Sequence, residues 1–487
     1  MWITCRKISK DCENTHFIKL AGIKQNLPFG AATNLPFGAA RKRWIFQKKF
    51  DIIIMVNFTQ KVKKMYKHTD YYKTYGRIMQ FNKNKKEPIH RWYPFVEGYS
   101  REFIQSIVAE MESTDLMCLE PFSGSGTTAL ELQNCGIPCF SFEVNPLMYL
   151  IARVKMERTY DLNKFDYWYD YIVRERKNAN VQLITEFNTL YQGDGKKKWN
   201  YDETVAVGVE KLKSVIETIP EEIYRELYKV ALASILLEVS NLYRNGKCLS
   251  YKRDWKEKKL TEEDVFTKFD DKIKKEIRVD ISNLGYTINV NNKIRLYNED
   301  SRIGIEKKIA DNSIDLVITS PPYLNSRDYT DTYMLELKTL GFTKNYNEIK
   351  MLREKTLRSH VQIKWKDQSS VNNKLLYNTL NELEQASKDT EAWNESIIDM
   401  IRLYFVDMQN IFKVLYRKMK VRGRVYFNVS NSAYFNVLIN TLEICASIAE
   451  NEGFKVLEIR DARNLKTSPQ QKEKVEKLLE GVIVLER

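Results

Sequence analysis

The sequence has few of the residues that commonly bind metal ions, since its 487 residues include 4 histidines and 7 cysteines. The cysteines are scattered along the chain, and no two of them have the spacing of a zinc site. No apolar run approaches the ~20 residues that a membrane helix needs. We therefore expect a cytoplasmic protein with reduced cysteines, no metal ion and no membrane span.

Acidic residues are scarce near the N-terminus, where the net charge of +14 is concentrated. Residues 1–54 carry ten Lys and Arg against three Asp and Glu, and residues 61–90 carry nine against two, so the rest of the chain is near neutral. The sequence Asn-Leu-Pro-Phe-Gly-Ala-Ala occurs at 26–32 and again at 34–40, a repeat that matches no solenoid period. We interpret residues 1–54 as a disordered leader, or as sequence upstream of a true start at Met55.

Residues 55–88 form a basic N-terminal arm in which lysines are interleaved with tyrosines. Basic charge combined with aromatic rings suits the phosphates and bases of a nucleic acid. A solvated helix face has the same composition, so both interpretations of the arm stay open.

A strand, a glycine turn and a helix are predicted in succession at residues 116–134. The turn is Pro-Phe-Ser-Gly-Ser-Gly-Thr-Thr at 121–128, whose bare backbone lets a ligand approach the start of the helix. A second predicted strand, Cys139–Phe142, ends in Glu143, 19 residues beyond Gly124. An acid at that distance is placed to bind two ribose hydroxyls. Because no phosphate-loop lysine follows the glycines, the pattern argues against ATP.

A buried strand is predicted at Leu316–Ile318, and it runs into Thr-Ser-Pro-Pro-Tyr at 319–323. The two prolines must end the strand because neither can donate a hydrogen bond to a neighbouring strand. The result is a stiff turn at the carboxyl end of a central strand, where α/β sheets bind their ligands. The Ser320 hydroxyl and the Pro321 carbonyl suit the amine of a flat heterocycle, and the Tyr323 ring suits its face.

Together these motifs resemble those of the amino-methylating DNA methyltransferases, in the Ser-Pro-Pro-Tyr form typical of the cytosine-N4 group. The resemblance implies an α/β fold, a seven-stranded Rossmann-like class I methyltransferase sheet, and S-adenosylmethionine as the cofactor. It assigns catalysis to four residues: Ser320, Pro321, Pro322 and Tyr323. It assigns cofactor binding to nine: Tyr93, Phe122, Gly124, Gly126, Thr127, Thr128, Glu143, Asn145 and Asp300.

The reaction that the resemblance implies is methylation of the N4 amine of a cytosine flipped out of duplex DNA, without a metal ion. Such an enzyme commonly serves as the modification half of a restriction-modification system, so a restriction endonuclease acting on the same site is an expected partner. The alternatives that stay open are adenine-N6 methylation, an RNA or protein amino-methyltransferase, and a DNA-binding protein without enzymatic activity.

The strand-helix alternation stops between residues 158 and 290, which divides the methyltransferase domain into a cofactor half at 89–157 and a catalytic half at 291–487. The inserted region is predicted to be mostly helical, with helices at Tyr160–Arg176, Tyr201–Ile219 and Glu221–Leu242. We interpret it as a DNA-reading module, with a helical cap that does not touch DNA as the alternative. The predicted DNA contacts are Arg244, Lys247, Lys252 and Arg253. His360, in the polar segment 343–392, is interpreted as a bystander.

Overall fold

The computed structural model describes residues 65–245, 248–257, 259–284, 293–325, 328–388, 396–468, 471 and 475–487. The predicted leader at 1–54 and the predicted DNA contact Lys247 lie outside these residues. None of the helices in the described ranges is long and apolar enough to cross a membrane.

The centre of the fold is an eight-stranded, mostly parallel sheet with the strand order β1-β11-β12-β8-β7-β2-β3-β6. Two further strand pairs, β4-β5 and β9-β10, form separate hairpins. In chain order the strands are β1 (His68–Asp70), β2 (Cys118–Glu120), β3 (Cys139–Phe142), β4 (Leu242–Arg244), β5 (Leu249–Tyr251), β6 (Ile294–Tyr297), β7 (Ile314–Thr319), β8 (Met419–Ser430), β9 (Ser432–Tyr434), β10 (Val437–Ile439), β11 (Lys455–Lys466) and β12 (Lys477–Glu486).

Only β12 runs against its neighbours, since it pairs antiparallel with both β11 and β8 while the other pairs of the sheet are parallel. The central strands are short and almost entirely buried, as expected for parallel strands covered on both faces. In chain order the helices are α1 (Tyr72–Tyr75), α2 (Arg101–Glu110), α3 (Thr127–Asn134), α4 (Pro146–Met156), α5 (Leu162–Glu175), α6 (Glu203–Glu217), α7 (Glu222–Val239), α8 (Glu262–Lys272), α9 (Arg278–Leu284), α10 (Ser301–Lys308), α11 (Tyr329–Thr332), α12 (Met334–Thr339), α13 (Tyr346–Lys355), α14 (Lys374–Lys388), α15 (Ser396–Lys418) and α16 (Thr441–Asn451).

The described part of the N-terminal arm is an integral part of the domain. Its strand β1 adds an eighth strand to the predicted seven and pairs in parallel with β11. The imidazole of His68 contacts the Asp461 carboxylate at 2.6 Å and the Glu443 carboxylate at 3.0 Å. Tyr75 and Phe81 are buried in the core. The Tyr75 ring is therefore unavailable to nucleic-acid bases, which corrects that interpretation of the arm for this residue, whereas the Phe81 ring faces the cavity described below.

The inserted helices pack directly on the cofactor half. Side chains of α4 and α7 belong to one continuous apolar core that also includes residues of α12. The Asp280 carboxylate of α9 accepts hydrogen bonds from the Ile89 amide at 2.8 Å and the Trp92 indole at 2.8 Å, and it pairs with the Arg91 guanidinium. The insertion thus holds in place the segment that leads into the cofactor half.

Candidate active site

A cavity of about 460 Å³ opens at the carboxyl edge of the sheet. Its walls come from the residues that follow β2, β3, β6 and β7, four neighbouring parallel strands. Eleven of the thirteen predicted catalytic and cofactor residues line it. They are Phe122, Gly124, Thr127, Thr128, Glu143, Asn145, Asp300, Ser320, Pro321, Pro322 and Tyr323.

The glycine turn forms one wall, but its two glycines do different things. Gly124 lines the cavity with φ at +52°, and a side chain there would approach the Phe95 ring to 3.0 Å. Gly126, with φ at +84°, lies behind the lining, where a Cβ would come within 2.9 Å of the Ala152 Cβ in α4. Gly124 therefore shapes the cavity, whereas Gly126 allows α4 to pack against the turn.

Glu143 joins the ends of β2 and β3 at the floor of the cavity. Its carboxylate accepts hydrogen bonds from the backbone amides of Gly124 at 2.7 Å and Asn145 at 2.8 Å. Burial raises the pKa of Glu143 to about 7. The Asn145 side chain caps α4 by accepting a hydrogen bond from the Leu147 amide at 3.0 Å.

Glu120, which the sequence analysis did not single out, is the last residue of β2 and also lines the cavity. One of its carboxylate oxygens accepts a hydrogen bond from the Tyr99 hydroxyl at 3.4 Å, and the other has no hydrogen-bond partner within the described ranges. Burial raises the pKa of Glu120 to about 8. Its position directly before the glycine turn was the signal that could have found it.

Asp300 reaches the cavity from the end of β6 and is held firmly. Its carboxylate accepts a hydrogen bond from the Arg302 amide at 3.0 Å, which caps α10, and pairs with the Arg302 guanidinium at 2.7 Å. The same guanidinium contacts Asp407 at 3.0 Å. This network fixes the orientation of the Asp300 carboxylate at the cavity wall.

The Ser-Pro-Pro-Tyr turn forms the opposite wall, where a chain of polar groups supports it. The Tyr323 hydroxyl donates to the Glu480 carboxylate at 2.7 Å, and burial raises the pKa of Tyr323 far above the usual value. The Asn428 amide lies 2.7 Å from the Tyr323 hydroxyl and 3.3 Å from the Ser320 hydroxyl. Asn428 and Glu480 were missed by sequence reasoning because they lie on β8 and β12, more than a hundred residues further along the chain.

His360 was interpreted as a bystander, but it lines the cavity and is 1% exposed. Its Nε2 lies 3.0 Å from the Thr356 hydroxyl, and burial lowers its pKa. The segment is anchored by Arg358, whose guanidinium pairs with the buried Asp407 at 2.7 Å.

Tyr93 lies outside the lining, and its hydroxyl donates to Glu336 at 3.1 Å. Arg244 pairs with the same Glu336 carboxylate, and its guanidinium lies 5.0 Å over the Tyr333 ring. Lys252 donates to the Glu238 carbonyl at 2.9 Å, near the end of α7.

One of the predicted DNA contacts is corrected by these pairings. The Arg244 side chain is 12% exposed and serves to hold the β4-β5 hairpin against α12, since its charge is taken by Glu336. Lys252 is half-buried and stabilises the carboxyl end of a helix, and its contact with DNA remains a prediction. Arg253 is exposed and remains a prediction.

Fold and cavity together define an α/β protein with a cavity at the carboxyl edge of a mostly parallel sheet, the edge at which such sheets commonly bind ligands. No family model matches the chain. It is 26% identical over 471 residues to the type II methyltransferase M.BsoBI from Geobacillus stearothermophilus, covering 84% of this chain and 88% of the relative. It is 27% identical over 411 residues to the type II methyltransferase M.AvaI from Anabaena variabilis, covering 79% of this chain and 82% of the relative.

A third relative, the type II methyltransferase M.MvaI from Kocuria varians, is 23% identical over half of this chain. Among solved structures, a modification subunit assigned to a type I restriction enzyme from Vibrio vulnificus YJ016 aligns at 10% identity with a TM-score of 0.27, covering 80% of this chain and 43% of that chain. That score is too low to support an argument. The chain is thus a distant homologue of type II methyltransferases over most of its length.

Proposed function

We propose that this protein is an S-adenosylmethionine-dependent DNA methyltransferase that methylates the N4 amine of cytosine in duplex DNA. The observation that carries the proposal is the meeting of the glycine turn, Glu143 and the Ser-Pro-Pro-Tyr turn in one cavity. We further propose that it is the modification enzyme of a restriction-modification system, with a partner endonuclease acting on the same site. The similarity to type II methyltransferases supports DNA methylation and the restriction-modification role, while the choice of the cytosine N4 amine rests on the Ser-Pro-Pro-Tyr turn.

The residues that line the cavity suit the cofactor chemically. Gly124 leaves the wall free of a side chain, so the backbone can approach a ligand closely. Glu143 presents a carboxylate suited to ribose hydroxyls, and the unpaired oxygen of Glu120 suits an ammonium group. When bound, S-adenosylmethionine supplies a methyl group on a positively charged sulfur. Asp300 lines the same cavity and suits the amine of adenine.

The Ser-Pro-Pro-Tyr turn would orient the amine that receives the methyl group. The lone pair of an aryl amine is conjugated with its ring, so the amine is a poor nucleophile. Hydrogen bonds from the amine to the Ser320 hydroxyl and the Pro321 carbonyl favour a pyramidal nitrogen with its lone pair free for attack. The amine is inaccessible inside a duplex, so the base must flip out, and the Tyr323 ring offers a stacking surface.

A basic and aromatic surface on the inserted region supports contact with DNA phosphates. Exposed lysines and a tryptophan border a shallow cleft, namely Lys196, Lys197, Lys256, Lys259 and Trp199. The Trp199 and Trp255 rings pack edge to face at 5.0 Å, and the Lys256 ammonium lies 5.5 Å from the Trp255 ring centre. Clustered positive charge of this kind binds the DNA backbone through counterion release. With Lys252 and Arg253, this surface replaces Arg244 as the proposed DNA contact.

Transfer of tritium from S-[methyl-³H]adenosylmethionine to unmethylated plasmid DNA tests the proposal. We expect wild-type protein to label the DNA and Ser320→Ala to lower the rate by about 100-fold or more, because it removes a positioned partner of the reacting amine. Ser313→Ala is the matched control, since Ser313 directly precedes β7, at the opposite end of the strand from Ser320, and its hydroxyl donates to the Ala310 carbonyl. Failure of the wild-type protein to label DNA would refute the proposed function.

A further inference from the structure

Three polar residues lie next to the Ser-Pro-Pro-Tyr turn. The strands that carry them hold neither the glycine turn nor the Ser-Pro-Pro-Tyr turn. In the parallel pairing of β7 with β8, Thr319 is opposite Phe427, so Ser320 continues beside Asn428. Glu480, on β12, pairs with Ser430 across the next ladder, and its carboxylate is held by the Arg463 guanidinium of β11. All three residues line the cavity.

The direction of the hydrogen bonds in this group follows from their chemistry. The Arg463 guanidinium can only donate, and a carboxylate paired with it can only accept. The single proton of the Tyr323 hydroxyl therefore goes to Glu480, 2.7 Å away. The Tyr323 oxygen must then accept from Asn428, so the atom of Asn428 that lies 2.7 Å away is its NH₂ nitrogen.

This direction determines what Asn428 offers to the cavity. The side-chain nitrogen of Asn428 is hydrogen-bonded to Tyr323 and Ser320, so the carbonyl oxygen of the same amide remains for another partner. That oxygen is buried, belongs to a side chain 2% exposed, and has no hydrogen-bond partner in the described part of the chain. A buried acceptor without a partner is energetically unfavourable. The Asn428 carbonyl oxygen is therefore suited to accept a hydrogen bond from a donor group of a ligand.

We propose that the Asn428 carbonyl oxygen and the Ser320 hydroxyl share one N–H of the exocyclic amine of the flipped base in a bifurcated hydrogen bond, while the other N–H goes to the Pro321 carbonyl. The Arg463–Glu480–Tyr323 chain keeps this oxygen turned towards the base, so that the pocket selects an amine over a carbonyl at that position of the ring. This inference rests on the proposed function. Asn428 would contact the substrate, while Glu480 and Arg463 are positioning residues.

A variant that reverses the direction of these hydrogen bonds provides a test, because a purely structural role of Glu480 does not predict the same outcome. In Glu480→Gln, Arg463 still demands an oxygen, so the amide NH₂ of the new side chain faces Tyr323. The Tyr323 proton then turns to Asn428, whose amide must rotate and present NH₂ to the cavity. In Glu480→Gln combined with Arg463→Leu, the glutamine is free to turn its oxygen back towards Tyr323, which restores the original direction.

The measurements are the single-turnover rate of tritium transfer to unmethylated plasmid DNA at saturating cofactor, the cofactor Kd and the melting temperature. We expect Glu480→Gln to slow transfer by about tenfold or more, the cost of replacing an acceptor by a donor. The double variant should be faster than Glu480→Gln alone, and the cofactor Kd should not change. Equal rates for Glu480→Gln and wild type, or no recovery in a folded double variant, would overturn the inference.

A second measurement applies even where the Glu480 variants fail to fold. Once the base methylated by the wild-type protein has been located, two duplexes are compared, one with cytosine and one with uracil at that position. Asn428→Ala should lower the ratio of the uracil Kd to the cytosine Kd relative to wild type, because it removes an acceptor that only the amine can use. An unchanged ratio would refute the role of Asn428. The proposed function is tested separately by the activity of the wild-type protein on the same DNA, so the two failures can be told apart.

Discussion

Glu143→Gln changes one atom at the floor of the cavity and should weaken cofactor binding without loss of the fold. The two carboxylate oxygens accept the amides of Gly124 at 2.7 Å and Asn145 at 2.8 Å. A glutamine side chain has one acceptor and one donor group, so one of these amides faces an NH₂ group instead of an oxygen. The same substitution removes the negative charge of the carboxylate that we propose binds the ribose hydroxyls.

The size of the effect follows from the hydrogen bond that is lost. A hydrogen bond to a charged group contributes about 1.5–3 kcal/mol. The Kd should therefore rise by about 10- to 150-fold. Because the ribose is common to S-adenosylmethionine and S-adenosylhomocysteine, the two ligands should lose the same factor. A loss confined to S-adenosylmethionine would mean that Glu143 acts on the sulfonium charge instead.

Isothermal titration calorimetry with both ligands measures this effect, and the melting temperature shows whether the fold survives. The matched control is Glu222→Gln, which makes the same chemical change at an exposed glutamate paired with Arg153 in α4. It should leave both affinities unchanged. A Kd for Glu143→Gln within twofold of wild type would refute the assignment of Glu143 to the cofactor.

Three further predictions follow from the same contacts. Burial raises the pKa of Glu143 to about 7 and that of Glu120 to about 8, so each carboxyl gains a proton as pH falls through its value, and cofactor affinity should fall in both ranges. Calorimetry from about pH 5.5 to 9.5 should find that Glu143→Gln lacks the fall near pH 7 and keeps the fall near pH 8. Gly126→Ala should lower the melting temperature more than Gly124→Ala, because a Cβ at residue 126 would meet the backbone of α4 at 3.1 Å as well as side chains. Gly124→Ala should chiefly weaken cofactor binding. A larger drop in melting temperature for Gly124→Ala would contradict the roles given to the two glycines. Deletion of residues 1–86 should destabilise the protein, since it removes β1 and the buried Tyr75 and Phe81; an unchanged melting temperature would show that the arm is dispensable.

Much of the sheet could be predicted because its signals are local. The apolar run at β7 is ended by two prolines, and the run at β3 is ended by Glu143, so each strand and its last residue can be found without knowledge of the fold. Parallel strands bring their carboxyl ends to one edge of a sheet. The convergence of the glycine turn, Glu143 and the Ser-Pro-Pro-Tyr turn follows from that rule.

The parts that were missed depend on pairings between distant residues. Arg244 has the composition of a DNA contact, yet its charge is taken by Glu336, 92 residues away. Asn428 and Glu480 occupy strands whose register with β7 is set by packing across the whole sheet. The predicted helix Glu221–Leu242 ends at Val239, because Leu242 begins the β4-β5 hairpin. Neither a charge pattern nor an apolar run contains this information.

The identity of the base that receives the methyl group can be measured directly. Plasmid DNA from a host without DNA methylation is incubated with the wild-type protein and S-adenosylmethionine, digested to nucleosides and analysed by mass spectrometry, with Ser320→Ala as the parallel sample. We expect N4-methyldeoxycytidine in the wild-type sample and its near absence in the Ser320→Ala sample. N6-methyldeoxyadenosine in its place would contradict the assignment of the base, and the absence of any methylated nucleoside would contradict the proposed function itself.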